Sequence, residues 1–488
     1  MAEKWQPNEM KPWQEAGVVD TRRSPFAKQW PVPPRAVHLE QGFWQGFLAL
    51  DESSVAPVLL EKLTEHGRLD NFLIAAGRKE GATAGREARD SDVHKWLDGA
   101  SYLLQSYPNS PLAAKTDEII DTIRDAQEPS GYVNTAFMGD RALQRHRAVG
   151  TEHELYVAGH LMQAAVAHHR ATGTTRLLDV ATRNADYLCS VFGPNGKRGA
   201  PGHPGVEMAL VELYRETGES AYLDLAEFFI DSRGQAIPGL DDHRRIAIAD
   251  LEPLRELESL RGVHAVIAMY LMCGMTDVYL ESGDESLLLA VRKLWEDLYS
   301  TKSYITGGVG SRHTQESIGD TYELPNLRAY TETCAAIAST FWNQRMLAVE
   351  PKGAYADAIE LAAHNGALSG ISLDGEEYFY TNPLEAGDPV DGFLPTRNGV
   401  VRESWFETAC CPTNIVRWLA YIPGYFYSLG SDSLYVNLYG ASTLDWHLPD
   451  GTPIRVSQET EYPWRGRIDI EVSPAAEREF TLHLRIPL

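Results

Sequence analysis

The architecture of this chain is best indicated by the stretch Arg170-Ala171-Thr172-Gly173, which continues as Leu177-Leu178-Asp179-Val180-Ala181. A helix that reaches Gly173 would end there, because glycine readily takes the left-handed conformation that closes a helix. The apolar residues after it recur at the i, i+3, i+4 spacing of a second helix. The stretch therefore predicts a helical hairpin.

The same pattern occurs three more times along the chain, with the break at Gly218, Gly283 and Gly353. Further helical stretches are predicted over 91–106 and 114–126. Because one hairpin cannot bury its apolar face alone, repeated hairpins are typical of a closed toroid or a solenoid. In a toroid the starts of the inner helices surround one central funnel, so functional residues are expected in the loops before those helices.

Length and charge exclude several classes of protein. The chain has 488 residues and a formal net charge of −24. This length suggests one large and one smaller domain, and the acidic balance argues against nucleic acid as a partner. The most apolar stretch, 263–275, is too short to span a membrane and is expected to be a buried helix. The first residues lack an apolar signal segment and the five cysteines are odd in number, so a cytoplasmic location is expected.

The pattern of the chain changes after Gly430, where apolar and polar residues alternate as they do in strands. These segments predict antiparallel strands separated by turns, over 433–439, 454–456, 467–472 and 480–486. We therefore expect a mainly α chain with three parts. They are an N-terminal extension over 1–40 that adds an edge strand, a helical toroid over 41–430 and an incomplete β-sandwich over 431–488.

Three of the five cysteines lie in two polar segments. Cys410 and Cys411 are adjacent, and one trans peptide rarely allows the geometry of a disulfide between neighbours. Together with Cys334 and Glu332 they would complete a tetrahedral zinc site, provided that Glu332 and Cys334 lie at a helix start or a bend. The competing interpretation is unrelated buried thiols. Pro412 suits the first position of a helix, which would place the two cysteines just before it.

Four histidines open or lead into predicted inner helices: His153, His203, His264 and His313. The first three occupy equivalent places in successive hairpins, so a toroid would bring them into one pocket. A single histidine is more often a core or cap residue, and the recurrence favours a functional role. The glycine-rich loop from 307 to 313 lacks the Lys-Ser or Lys-Thr of a phosphate loop. Glu316 at its end is either a general acid/base or a solvated surface carboxylate.

Several short motifs occur together between about residues 50 and 440. They are Asp90-Ser91-Asp92-Val93, Gly131-Tyr132-Val133-Asn134-Thr135, His153-Glu154-Leu155-Tyr156, Gly307-Gly308-Val309-Gly310-Ser311, Tyr330-Thr331-Glu332-Thr333-Cys334, Tyr380-Thr381-Asn382-Pro383 and Cys410-Cys411-Pro412-Thr413-Asn414. In this combination the chain resembles glycoside hydrolase family 127, the β-L-arabinofuranosidases, and the related family 146. The Glu-x-Cys and Cys-Cys-Pro motifs are the specific part of the resemblance.

The resemblance implies an (α/α)6 barrel followed by a β-sandwich, and a retaining exo-hydrolase that releases L-arabinose from β-L-arabinofuranosides. It implies that Cys410 is the nucleophile and Glu316 the acid/base. It also implies a Zn²⁺ ion held by Glu332, Cys334, Cys410 and Cys411, and sugar hydroxyls bound by His153, His203, His264 and Tyr380. The expected partner is a glycoside or oligosaccharide, and a homodimer is an open option.

Other interpretations remain open at this point. The same fold would also suit a different furanoside or a modified pentose. Glu316 and Glu332 could perform conventional carboxylate-based hydrolysis beside a structural zinc. A non-catalytic sugar-binding protein and a sugar epimerase are further options, the epimerase on fold analogy alone.

Overall fold

The computed structural model describes residues 10–235, 252–386 and 401–487, and it is mainly helical. The first nine residues of the expected N-terminal extension lie outside the described ranges. The helices are α1 (Phe43–Leu50), α2 (Ala56–Glu65), α3 (Arg68–Ala75), α4 (Asp90–Ser106), α5 (Leu112–Ala126), α6 (Glu154–Thr172), α7 (Arg176–Val191), α8 (Val206–Thr217), α9 (Ser220–Asp231), α10 (Ala265–Ser282), α11 (Glu285–Thr301), α12 (Thr333–Val349), α13 (Gly353–Leu361) and α14 (Cys410–Tyr421).

Six of these helices form a closed inner ring. Each even-numbered helix from α4 to α14 packs on the next, and α14 returns to pack on α4. The odd-numbered helices α5 to α13 alternate with them along the chain, and α2 and α3 pack against α4 from outside. The predicted (α/α)6 barrel is thereby confirmed.

Burial distinguishes the inner helices from the outer ones. Every residue of α12 is buried, whereas α7 buries Leu177, Val180, Ala181 and Leu188 along one face. This is the apolar stripe expected of a helix with one face on the core. The inner helices also approach closely: a Cβ atom at Gly99 would lie 2.8 Å from the backbone nitrogen of Arg417. Only glycine fits at this contact between α4 and α14 without a shift of one helix.

The glycine breaks were predicted correctly in three cases out of four. Gly173, Gly218 and Gly283 all take the left-handed conformation directly after α6, α8 and α10. The prediction for Gly353 is wrong, because Gly353 is the first residue of α13. The preceding helix instead ends at Val349, and Glu350 is extended, as residues before proline tend to be.

A smaller domain contains two four-stranded sheets. The strands are β1 (Trp30–Pro31), β2 (Val37–Leu39), β3 (Tyr427–Leu429), β4 (Ser433–Val436), β5 (Ser442–His447), β6 (Pro453–Thr460), β7 (Ile468–Pro474) and β8 (Thr481–Leu484). One sheet has the order β1-β3-β4-β8 and the other β2-β5-β6-β7. Strands from both ends of the chain therefore build this domain: Trp30 pairs with Leu429, and Val37 with Leu444.

One pairing differs from the predicted antiparallel arrangement. Strands β4 and β8 run parallel, with Ser433 opposite Thr481 and Val436 opposite Leu484. The chain leaves β4, builds three strands of the other sheet and returns, and this long crossover allows a parallel neighbour. The other strand pairs are antiparallel.

The segment 10–36 closes one end of the barrel, the end at which the inner helices finish. Buried Arg170 near the end of α6 donates to the carbonyl of Gly17 at 2.9 Å, and the amide of Asp20 donates to Glu212 of α8 at 2.8 Å. The amide of Lys28 reaches the carbonyl of Ala348 in α12 at 2.8 Å. With this end closed, the open funnel lies at the helix starts. Among the described helices, none combines the length and apolar content needed to cross a bilayer.

Candidate active site

A pocket of about 260 Å³ opens at the starts of the inner helices. It is lined by eight residues singled out from the sequence: His153, His203, His264, Glu316, Glu332, Cys334, Tyr380 and Cys410. Cys411 lies behind this surface and is fully buried, with its Sγ 3.3 Å from that of Cys334. The structure therefore brings the nine candidate residues together.

Three histidines converge because they occupy equivalent helix starts. His153 directly precedes α6, His264 directly precedes α10, and His203 lies just before α8. The His203 ring centroid is 5.7 Å from that of His153 and 5.9 Å from that of His264. His313 does not follow this pattern. It precedes only the short turn Thr314–Glu316, so the prediction that it leads into an inner helix is wrong.

His264 orients Glu316. The backbone amide of Val266 donates to His264 Nδ1 at 3.1 Å, which leaves the proton of the neutral ring on Nε2. That Nε2 atom lies 2.9 Å from Glu316 Oε2. Burial alone would raise the pKa of Glu316, but the hydrogen bond and the electrostatic attraction from His264, with a hydrogen bond from Tyr330, together outweigh burial and hold the pKa below its ordinary value. Glu316 is thus a positioned, half-buried carboxylate rather than a solvated surface group.

The four candidate metal ligands lie in the first turns of two inner helices. Glu332 directly precedes α12 and Cys334 is its second residue, so the required helix start is present. Cys410 and Cys411 are the first two residues of α14. The prediction that Pro412 takes the first helical position is therefore wrong. Proline is tolerated at the third position because amides of the first turn have no partner within the helix.

The spacing of these ligands suits a tetrahedral metal. Their ligand atoms all lie within 4.8 Å of one another. Sγ–Sγ distances are 3.3 Å for Cys334–Cys411 and 3.9 Å for Cys410–Cys411, and the Cys410 sulfur lies 3.6 Å from Glu332 Oε1. Ligands about 2.3 Å from a tetrahedral ion stand about 3.8 Å apart. Glu332 Oε2 is also buried, with no hydrogen-bond partner among the described residues. The donor set therefore fits a metal such as zinc.

The cluster favours ionisation of one of its sulfurs, that of Cys410. Hydrogen bonds from the thiols of Cys334 and Cys411 hold the pKa of Cys410 well below its ordinary value. Burial raises the pKa of both donor thiols, and burial with the nearby Cys410 charge raises that of Glu332. The Tyr380 hydroxyl adds a contact at 3.3 Å to the Cys410 sulfur. Cys410 is thus the thiol of the group that ionises most readily, and it lines the pocket.

Buried charges from α4 also belong to the site, and no role was predicted for them. Asp92 lines the pocket and pairs with buried Arg68 at 3.2 Å. Burial outweighs this pairing and raises the pKa of Asp92 to about 6. Lys95, one turn later, lies 5.0 Å over the ring of Tyr156, which is also part of the pocket. The sequence did contain a signal for Asp92, because this residue lies at the start of an inner helix, as the three histidines do.

Comparisons with known proteins agree with this geometry. The family model described as "Beta-L-arabinofuranosidase, GH127 catalytic domain" matches residues 36–424, and that of the GH127 middle domain matches 433–488. A non-reducing end β-L-arabinofuranosidase of Bifidobacterium longum subsp. longum is 38% identical over 449 residues, which covers 86% of this chain and 67% of the relative.

Solved structures show the same similarity. The GH127 β-L-arabinofuranosidase from Geobacillus stearothermophilus T6 superposes with a TM-score of 0.87 at 39% identity, covering 92% of this chain and 74% of that one. A second GH127 β-arabinofuranosidase gives a TM-score of 0.86 at 38% identity, with 95% and 72% covered. This chain therefore belongs to glycoside hydrolase family 127 and is a glycoside hydrolase with a carbohydrate substrate.

Proposed function

We propose that this protein is a retaining, exo-acting β-L-arabinofuranosidase with a cysteine nucleophile. One observation carries the proposal: Cys410 and Glu316 line the same pocket, and Cys410 belongs to a cluster of four ligands whose spacing suits a tetrahedral metal. The names of the relatives supply the sugar. The exo action is the one named for the Bifidobacterium relative, a non-reducing end β-L-arabinofuranosidase.

In the first step, Cys410 Sγ attacks the anomeric carbon. A carbon–sulfur bond forms as the bond to the leaving oxygen breaks. Glu316 must be in its protonated form for this step, the form that the second step regenerates, and it delivers that proton to the leaving oxygen. His153, His203, His264 and Tyr380 hold the sugar through its hydroxyls, which keeps the anomeric carbon in line with the sulfur. The product of this step is a thioglycosyl enzyme.

In the second step, Glu316 acts as the base. It takes a proton from a water molecule whose oxygen bonds to the anomeric carbon, and the electron pair of the breaking carbon–sulfur bond returns to Cys410. Two displacements at the same carbon restore the original configuration. A zinc ion held by Glu332, Cys334, Cys410 and Cys411 would stabilise the sulfur as a thiolate, which makes it a better leaving group.

A carboxylate-based mechanism is the second candidate, and one distance favours it. The closest ligand atoms of Glu316, Glu332 and His264 lie within 4.8 Å of one another. Retaining glycosidases with two carboxyl groups place them about 5 Å apart. In this alternative Glu332 is the nucleophile and the three cysteines have a structural role.

Hydrolysis of p-nitrophenyl β-L-arabinofuranoside, in reducing buffer with zinc, tests the activity. We expect clear release of p-nitrophenol and a β-configured sugar as the first product by NMR. Cys410→Ala should lower kcat by roughly 1,000-fold or more, because the nucleophile is lost. Cys189→Ser is the matched control, since Cys189 lies on outer helix α7 and should leave turnover unchanged. Near-normal turnover of Cys410→Ala with its metal retained would favour the carboxylate alternative.

Leaving-group dependence tests the role of Glu316. p-Nitrophenolate departs without a proton, whereas a sugar alkoxide needs one. Glu316→Gln should therefore lose more activity on an arabinofuranosyl disaccharide than on the p-nitrophenyl substrate. Equal losses on both substrates would remove Glu316 from the acid role. Metal analysis before and after treatment with a chelator should show about one zinc per chain, lost together with turnover and restored by added zinc.

A further inference from the structure

Asn414 lines the pocket and has no role in the mechanism above. It follows Cys410 by one turn of α14, so both side chains lie on the same side of that helix. Asn414 is 1% exposed and is part of the pocket lining. A buried amide in such a place must satisfy both its carbonyl oxygen and its amino group.

The orientation of this amide follows from its neighbours. Asn414 Oδ1 accepts from Arg417 Nε at 2.9 Å and from the Tyr270 hydroxyl at 3.3 Å. Arginine has donors only, so the atom beside Arg417 must be the oxygen. Arg417 also donates to the Tyr270 hydroxyl at 2.6 Å, which leaves the hydroxyl proton for Asn414.

Arg417 is itself fixed in the barrel interior. It is fully buried, and its NH1 group donates to Gln163 Oε1 at 3.0 Å and to Asp98 Oδ2 at 3.4 Å. Asp98 additionally accepts from the Tyr421 hydroxyl at 2.6 Å. This network involves none of the four metal ligands, so it holds the amide independently of the metal.

With Oδ1 turned to Arg417, Nδ2 is the polar atom of Asn414 that faces the pocket. Within the described ranges of the chain, both side-chain hydrogen bonds of Asn414 are made by Oδ1, and Nδ2 donates to no protein group. The nearby carboxylates of Glu316 and Glu332 and the thiolate of Cys410 accept hydrogen bonds. A sugar hydroxyl can give its proton to such a group, but its oxygen then needs a donor.

We propose that Asn414 Nδ2 donates a hydrogen bond to a hydroxyl oxygen of the terminal pentofuranose and so helps to select the sugar. This inference rests on the proposed function for the identity of the sugar. The ring oxygen is a poor partner, because it becomes electron-deficient in the oxocarbenium-like transition state. A donor in the pocket lining would therefore serve a hydroxyl.

The test uses Asn414→Asp, which keeps an oxygen for Arg417 and Tyr270 but replaces the donor with an acceptor. Activity is measured on p-nitrophenyl β-L-arabinofuranoside and on its 2-, 3- and 5-deoxy analogues, with metal content checked. We expect kcat/KM of the variant to fall about 10-fold on the parent substrate, the usual effect of one lost hydrogen bond. For the analogue that lacks the hydroxyl bound by Asn414, the wild-type protein should show a lower kcat/KM than for the parent substrate. In Asn414→Asp this difference between the two substrates should disappear. Asn365→Asp, on the exposed surface, controls for the added charge.

The inference would be overturned if each deoxy analogue lowered kcat/KM by the same factor in both proteins, or if Asn414→Asp left kcat/KM unchanged. Either result would leave the proposed function intact. No turnover by the wild-type protein would refute the proposed function instead. Calorimetry with L-arabinose then decides the inference: weaker binding by Asn414→Asp supports it, and equal or absent binding by both proteins overturns it.

Discussion

Arg170 offers the sharpest test of how the barrel is closed. This side chain is fully buried and pairs with Glu212 at 2.7 Å and with Glu216 at 2.8 Å. It also donates to the carbonyl of Gly17, which ties the segment 10–36 to the helix ends. Burial would lower the pKa of the guanidinium, but the two carboxylates outweigh burial and keep the pKa well above its ordinary value. Arg170 is therefore charged at every pH at which the protein folds.

Replacement of Arg170 by methionine should destabilise the protein by about 3–5 kcal/mol, the cost of removing one partner of a buried ion pair. Two carboxylates lose their shared cation, although Arg215 still reaches Glu212 at 2.9 Å and His169 still reaches Glu216. With an unfolding entropy of about 2.1 cal/mol/K per residue, this corresponds to a Tm lower by about 4 °C if the chain unfolds as one unit.

Circular dichroism during heating measures the Tm, and limited trypsin digestion reports the loss of the N-terminal segment by faster cleavage after Arg23. The matched control is Arg176→Met, because Arg176 is 36% exposed and pairs with Asp117 and Asp121 at the surface. Such exposed pairs contribute about 0–1 kcal/mol. Equal Tm values for the two variants, or unchanged digestion of Arg170→Met, would refute the assignment of Arg170 as the closing contact.

Three further predictions concern packing, pH and the site. Gly99→Ala should destabilise the protein by about 1–3 kcal/mol, because its Cβ would press on the backbone of α14. Gly46→Ala is the control: it has open space around it and should be neutral or stabilising by up to about 1 kcal/mol. Urea unfolding measures both changes. Burial would raise the pKa of Asp20, but its hydrogen bonds to Arg22 and the charges of Arg170 and Arg22 together lower the pKa to about 2. Asp20→Asn should therefore cost about 2 kcal/mol of stability at pH 7. That difference should shrink as the pH falls from about 4 to about 2, and a constant difference would contradict it. Tyr380→Phe removes the hydroxyl beside the thiolate and should lower kcat about 10-fold at unchanged Tm; a matching fall in Tm would indicate a structural role.

Local patterns in the sequence predict most of the barrel and much of the site. Gly173, Gly218 and Gly283 mark helix ends because their conformation is a local property of the backbone. The convergence of His153, His203 and His264 follows from their equivalent places in a closed ring. These features need no knowledge of distant contacts.

Features that depend on distant partners were missed or only partly predicted. Strands β1 and β2 have two and three residues, too few to show an alternating pattern. The parallel neighbour of β4 is set by a crossover through the other sheet. Charge in a sequence normally indicates exposure, so buried Lys95 and Arg417 could not be recognised before the helices that surround them were known.

Strands from the two ends of the chain share both sheets, and this has a consequence for synthesis. At about 5–20 residues per second, the ribosome needs roughly 20–80 s to progress from β1 and β2 to the strands that pair with them. During that interval the first strands have no partner from their own sheets. The segment 10–36 gains its contacts with the ends of α6, α8 and α12 one after another, and the last of them forms only after Ala348 has been made. The nascent protein therefore cannot complete either domain in order from its start. We expect it to depend on a late, concerted closure, with chaperone binding near the N-terminus until then.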